Sequence, residues 1–277
     1  METGSVVQEL TTKLARAEIT IEIGAVPVCV RATDASFLKM LENRYAGFVT
    51  PGGRSEFDFD VELADPGSVD SDADVRVTWD SGRWCLDRGD FASELDLHAR
   101  SGKIRQSPNP YSIDAVLRIL HTLLLAQEGG FLLHAASAVR NGKAFLFAGV
   151  SGAGKTTIAG LAPPDATLLT DEISYVRKDG NRYAAFGTPF TGELGKPGEN
   201  VWAPVAGLYL LEKGSHNHLA PVTAAEATRS FLSNVLFFAE QQELVRSVFR
   251  SACEFVGQVP VYRLTFLPDS RVWEMLR

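Results

Sequence analysis

Apolar and polar residues alternate through AEITIEIGAVPVCVRA, residues 17–32, in two runs parted by Gly24-Ala25, which predicts a β-hairpin. The period then lengthens. In DASFLKMLENRYAGF, Phe37, Leu38, Leu41 and Tyr45 recur at helical spacing behind a capping Asp34. Alternation returns in FDFDVELA, DVRVTWD and RWCLD, with Asp80-Ser81-Gly82 as a turn between the last two, while the acidic ADPGSVDSDAD between the first two reads as a solvated loop. Residues 1–105 therefore read as a mostly antiparallel β module with one helix. His98 and its scattered carboxylates have no partner at a useful spacing.

A different regime starts at SPNPYSIDAVLRILHTLLLAQEGG, and the domain boundary is placed in the Pro- and Ser-containing chain near 101–111. Val116, Leu117, Leu120, Leu123 and Leu124 form a helical stripe with Ser112 as N-cap and Gly129-Gly130 as stop; His121 on it reads as filler. FLLHAASAV-RNGK-AFLFAG is a hairpin about Asn141-Gly142, and YVRKDGNRYAAFG is one about Asp179-Gly180. VAGLYLLEK is a near-continuous apolar run, as in a buried strand. TAAEATRSFLSNVLFFAE opens with the capping-box pair Thr223 and Glu226, QQELVRSVFRSACEFV is a second amphipathic helix, and VPVYRLTFL is a last strand. Residues 106–277 read as an α/β domain. FGTPFTGELGKPGEN, 186–200, is expected to be either a mobile acceptor-side loop or a plain surface connection.

Composition narrows the class. The net charge of −7 lies in residues 1–110, which hold 19 acidic and 12 basic side chains; the remainder balances at 15 of each, so no basic face argues for nucleic acid. Cys29, Cys85 and Cys253 are far apart and form no CxxC pair, which argues against a disulfide framework or zinc site and suits a reducing compartment. No run approaches the ~18 apolar residues of a membrane span, and the first residues lack a signal-peptide core. A soluble, cytoplasmic protein is expected.

The chemistry is carried by Gly149-Val150-Ser151-Gly152-Ala153-Gly154-Lys155-Thr156, which matches GxxxxGK[ST] at every fixed position. Glycines let the backbone curl with its N–H groups inward as a nest for anionic oxygens. Lys155 would neutralise terminal phosphates and the Thr156 hydroxyl would ligate Mg²⁺, with Thr157 beside it. A strand precedes the loop and a helix follows it, as phosphate loops require. ATP and Mg²⁺ are the expected cofactors.

Sixteen residues beyond Lys155, ATLLTDEISYV puts Asp171-Glu172 at the end of an apolar strand. A βαβ connection makes that strand run parallel to the phosphate-loop strand, with its carboxylates at the same edge. One could act on Mg²⁺ and the other take a proton from an attacking hydroxyl. His134 lies on the strand paired with the phosphate-loop strand. Neither DxxG nor NKxD occurs, against a GTPase, and no LSGGQ-like signature occurs, against a transporter ATPase.

His134-Ala-Ala-Ser-Ala-Val, the hairpin, FAGVSGAGKTT and LLTDE together resemble the catalytic domain of the HPr kinase/phosphorylase family, above all its shorter HPr-kinase-like members, over about residues 130–175 and more faintly to about 268. The resemblance implies a P-loop kinase core of the HPr-kinase type, with Asp171 as base, Glu172 on the metal or positioning, His134 beside the transferred phosphate, and a homo-oligomer. Glu172 stands where that family usually has Asp. The function expected is transfer of a γ-phosphoryl group to a hydroxyl of a peptide or protein serine or of a small alcohol. The alternatives are a small-metabolite kinase of shikimate- or gluconate-kinase type, and a nucleotide-binding regulatory protein with weak ATPase activity.

Overall fold

The computed structural model describes residues 17–64 and 73–276. The first hairpin forms as expected: β1 (Ala17–Ile23) turns through Gly24 and Ala25, both at positive φ, into β2 (Val26–Ala32). Helix α1 (Ala35–Arg44) follows, its first turn capped by the Asp34 carboxylate, which accepts the Phe37 N–H at 2.8 Å. Next come β3 (Phe57–Leu63), β4 (Arg76–Asp80), β5 (Arg83–Asp87), β6 (Phe91–Asp96) and β7 (Ser101–Gln106). These make a seven-stranded sheet in the order β1-β2-β3-β7-β6-β5-β4. Its flanks are antiparallel, but β3 is parallel to both β2 and β7, so the sheet is mixed at its centre. Local alternation cannot show this, because α1 and the β4–β6 meander carry the chain away before β3 and β7 find their neighbours. The expected acidic loop lies partly in residues 65–72, outside the described residues.

Helix α2 (Pro110–Glu128) starts three residues earlier than expected. Asn109, not Ser112, is the cap: its side-chain oxygen accepts the N–H groups of Tyr111 and Ser112 at 2.8 and 3.0 Å, and Pro110 supplies the preset φ of a first helical residue. Gly129, at φ 78°, ends the helix as expected. Buried residues surround the helix on nearly every side because it lies between two sheets. One apolar core runs from Ile19–Val30 of the first sheet through Ile113, Val116, Leu117 and Leu120 to Ile173, Tyr175 and Phe190. His121 is wholly buried there, 3.2 Å from the Tyr175 hydroxyl, and burial holds its imidazole neutral with a pKa of about 3.

The second sheet has nine strands. In chain order they are β8 (Phe131–Arg140), β9 (Lys143–Ala148), β10 (Thr167–Thr170), β11 (Ile173–Asp179), β12 (Arg182–Phe186), β13 (Trp202–Lys213), β14 (His218–Pro221), β15 (Val235–Leu236) and β16 (Val261–Phe266). Helix α3 (Lys155–Gly160) follows β9, α4 (Ala224–Leu232) follows β14, and α5 (Gln242–Gln258) precedes β16. The Asn141-Gly142 turn closes β8 and β9, with both residues at positive φ. The α4 element is shorter than its pattern suggested. Thr223 caps it by accepting the Glu226 N–H at 3.3 Å, but the chain turns at Ser233 and Val235–Leu236 pair with β8. The Glu226 carboxylate reaches Arg263 instead of closing a capping box.

Two long strands change partners along their length. The first half of β8 pairs with β11 and β15, and its second half with β9 and β10. The start of β13 pairs with β12, while its remainder lies parallel between β9 and β16. Strands β10 and β9 both run antiparallel to β8, so they point the same way with β8 between them and end at the same edge. The molecule is thus an α/β fold with two mixed sheets and few helices. Among the described residues no helix is long and apolar enough to cross a membrane. All three cysteines are free; Cys29 is buried, Cys85 half-buried and Cys253 exposed.

Candidate functional site

The glycine loop joins β9 to α3, as expected. Gly152 and Gly154 take φ values of 76° and 108°, a region side chains rarely adopt, and a Cβ on Gly154 would lie 2.7 Å from the Phe266 ring. The tight curl therefore depends on glycine at these positions. Only six residues long, α3 offers a weak dipole, so anion binding would rest on the loop amides and Lys155. The Lys155 ammonium donates to the carbonyls of Gly149 and Val150 at 2.9 and 3.4 Å, which holds it at the lip of the loop. Burial lowers its pKa, against the raising influence of Glu172 and Glu193. Behind the loop, a C-terminal 3₁₀ turn (Ser270–Met275) presses the buried Trp273 onto Phe147 of β9, and the indole donates to the Ile158 carbonyl of α3 at 3.1 Å. Strand and helix are thus braced against each other.

Register places the other groups. Ala135 is opposite Ala148, the last residue of β9, and its neighbour His134 is opposite Ile173, the residue after Glu172. His134 consequently sits where β8 passes from one partner pair to the other. A cavity of about 440 Å³ opens here, lined by His134, Ser151, Gly152, Gly154, Lys155, Thr156, Thr157, Asp171, Glu172, Gly192, Glu193 and Lys213. The sequence-derived groups that meet in it are thus His134, the loop from Ser151 to Thr157 and the acidic pair. The Val150 side chain instead points to solvent at 80% exposure, and Ala153 is buried beneath the loop near Gly149. Burial, and then Lys155, push the His134 imidazole below its ordinary range, which favours the neutral ring.

The two carboxylates are in different situations. Asp171 is buried, and each of its oxygens accepts a backbone N–H: Gly192 at 2.8 Å and Leu194 at 2.9 Å. Glu172 is half-buried and accepts no hydrogen bond from the described residues; burial foremost raises its pKa, while Arg118 and Lys155 oppose the rise. The carboxylate left free is therefore that of Glu172.

The segment bound by Asp171 is a strap. Thr188 N–H bonds Leu169 O, Gly198 N–H bonds Thr188 O, and Glu199 N–H bonds Leu168 O, so 187–199 is stitched to β10. A Cβ on Gly198 would fall 1.7 Å from the Leu169 carbonyl oxygen, and Phe190 is wholly buried. The expectation of a mobile loop, or of a plain surface connection, is corrected: backbone bonds and a buried ring hold this segment against the site. Gly192, Glu193 and Lys213 were missed in the sequence. Lys213 could have been found as a cation at the end of a strand parallel to β9.

The donor set fits a phosphate-bound cation. Among the described residues no group of three or more His, Cys, Asp or Glu side chains could hold a metal alone. A magnesium ion with one hydroxyl, a carboxylate and substrate phosphates needs no such cage, and Thr156 with the acidic pair supplies those protein groups.

No curated protein matches the chain. The family model that does match it is not of the HPr kinase type, and the resemblance drawn from the histidine strand, the phosphate loop and LLTDE is corrected on that finding. The match covers residues 110–277, from the first residue of α2 onward and more than half the chain, so the chain belongs to the family of the SynChlorMet cassette protein ScmC.

Proposed function

We propose that this protein is an ATP- and Mg²⁺-dependent phosphotransferase with a hydroxyl acceptor. The observation that carries the reading is the meeting, in one cavity, of a glycine-built anion nest, its lysine, and a carboxylate that nothing else engages. A site that only held a nucleotide would have no use for that carboxylate.

The loop amides other than that of Ala153, which bonds the Val150 carbonyl, and the Lys155 ammonium would bind the phosphates, and Thr156 and Asp171 would hold the metal. Magnesium, when bound, neutralises charge that builds on the transferred group and on the leaving oxygen. Glu172 accepts the proton of the attacking hydroxyl; its raised pKa makes it a stronger base than an ordinary carboxylate. Neutral His134 donates or accepts a hydrogen bond beside the phosphates without adding charge. Asp171 holds the strap that closes one wall.

Incubation with γ-labelled ATP, Mg²⁺ and a cell extract tests this directly. Label in a peptide, a protein or a small molecule is expected, and Glu172→Gln should abolish it. Release of free phosphate alone, undiminished by Glu172→Gln, would overturn the transfer reading.

A further inference from the structure

A second cavity, of about 640 Å³, shares Glu172 as a wall with the phosphate cavity and is bounded by Thr191, the strap residue next to Gly192. Its remaining walls come from α1, α2, the edge of the first sheet and Phe238 between β15 and α5, with Arg44, Arg88 and Arg118 among them. Two of these arginines are committed. Arg44 is paired with Asp114 at 2.6 Å, and Arg88 with Asp90 through two bonds of 2.7 Å. Arg118 is different: it makes no hydrogen bond or ion pair with the described residues, while its Nε, like that of Arg44, is buried without a partner. Its guanidinium lies over the Phe190 ring, 4.9 Å from the centroid.

That arrangement favours a particular ligand. The Phe190 ring lies against one side of the guanidinium and Nε is buried, so the two terminal Nη groups are the ones left to bind. A fork of this kind matches a carboxylate through two parallel hydrogen bonds. Tyr111 and Phe238, both exposed at the rim, offer apolar cover for the ligand's carbon skeleton. The volume suits a small molecule or a few residues of a peptide.

We infer that this cavity is the acceptor site, and that Arg118 binds a carboxylate of an acceptor whose hydroxyl reaches Glu172. The inference rests on the phosphotransferase reading and names its substrate class: a hydroxy acid, free or as a serine beside an acidic group in a peptide. In the step, the acceptor oxygen forms a bond to the γ-phosphorus as the bond to the β,γ-bridging oxygen breaks. ADP leaves, and the hydroxyl proton passes to Glu172.

The test has two arms, free hydroxy acids (L-serine, glycerate) and the blocked peptide acetyl-Glu-Ser-Glu-amide, each beside its amide or Gln counterpart. Binding is measured by calorimetry in the presence of a non-hydrolysable ATP analogue, and transfer is measured with labelled ATP. A carboxylate probe from one arm should bind the wild type, its neutral counterpart should bind about tenfold or more weaker, and Arg118→Gln should remove that difference while leaving affinity for the ATP analogue unchanged. Because Arg118 also faces Glu172, its loss should shift the pH profile of kcat upward, whereas the rise in acceptor KM should appear only for carboxylates. Failure of every carboxylate to bind, or binding that is indifferent to Arg118→Gln, overturns the acceptor-site inference. Carboxylate binding that depends on Arg118 but never yields product overturns the phosphotransferase reading and leaves a carboxylate site.

Discussion

Asp171→Asn separates two roles that a carboxylate beside a phosphate loop can play. Asparagine has nearly the shape of aspartate, so packing is preserved. Its amide can present oxygen to only one of the two strap N–H groups, at Gly192 or Leu194, and must turn an NH₂ toward the other. One charge-assisted bond becomes neutral, and the other becomes a donor facing a donor in a site only 2% exposed. Hydrogen bonds to charged groups contribute about 1.5–3 kcal/mol, and a buried unsatisfied donor costs about 1–3 kcal/mol. Burial of a neutral amide in place of a carboxylate offsets part of this, leaving roughly 2–4 kcal/mol. The strap can absorb that by detaching locally, so the sensitive measurement is amide hydrogen exchange across 187–199. A loss of roughly 2 kcal/mol or more is about 30-fold faster exchange at Gly192 and Leu194. Phosphoryl transfer should fall as well, because a cavity wall loosens. Transfer abolished with strap exchange unchanged would refute this account and return the base role to Asp171.

Lys155→Ala should weaken ATP affinity by about tenfold or more in calorimetry while leaving the melting temperature near that of the wild type. For Glu172 as base, kcat/KM should rise with pH through a value above the ordinary carboxylate range and be lost below it; a flat acid limb in the wild type would contradict the assignment. His121 supplies a stability test. Its folded pKa of about 3 lies below the ordinary 6.5, so the unfolded chain takes up a proton that the folded chain refuses. Its contribution is complete above 6.5 and is lost at up to about 1.4 kcal/mol per pH unit as pH falls toward 3, and His121→Gln should flatten that part of a denaturant-midpoint series. Gly198→Ala should cost about 2–3 kcal/mol or more in urea unfolding, since its Cβ would meet the Leu169 carbonyl at 1.7 Å and neither backbone can give way alone.

The elements that sequence made legible are those whose cause is local. Asn141-Gly142 announces its turn because few residue pairs accept positive φ twice in succession. The glycine loop reads as an anion nest for the same reason. Asp171-Glu172 could be placed near it because a right-handed crossover leaves little choice of edge. What was hidden depends on distant backbone. Nothing in the local pattern of FDFDVELA shows that it lies parallel between β2 and β7. Asp171 and Glu172 look equivalent on paper, and only the amides of Gly192 and Leu194 distinguish them. Arg118 reads as an ordinary cation beside an apolar helical stripe; that it lies unpaired over Phe190 comes from the path of the strap, some 70 residues further along the chain.

Helix α2 carries a consequence for how inheritance and folding divide this chain. The family match starts at Pro110, but the core into which α2 is sunk contains Val28, Phe57, Phe59, Trp84 and Ile104, all encoded before that point. The segment matched by the family is therefore smaller than the folding unit. A fragment beginning at residue 110 would present Ile113, Val116, Leu117 and Leu120 to water along one side of its longest helix. The first sheet is a structural necessity for the very segment by which the family is recognised.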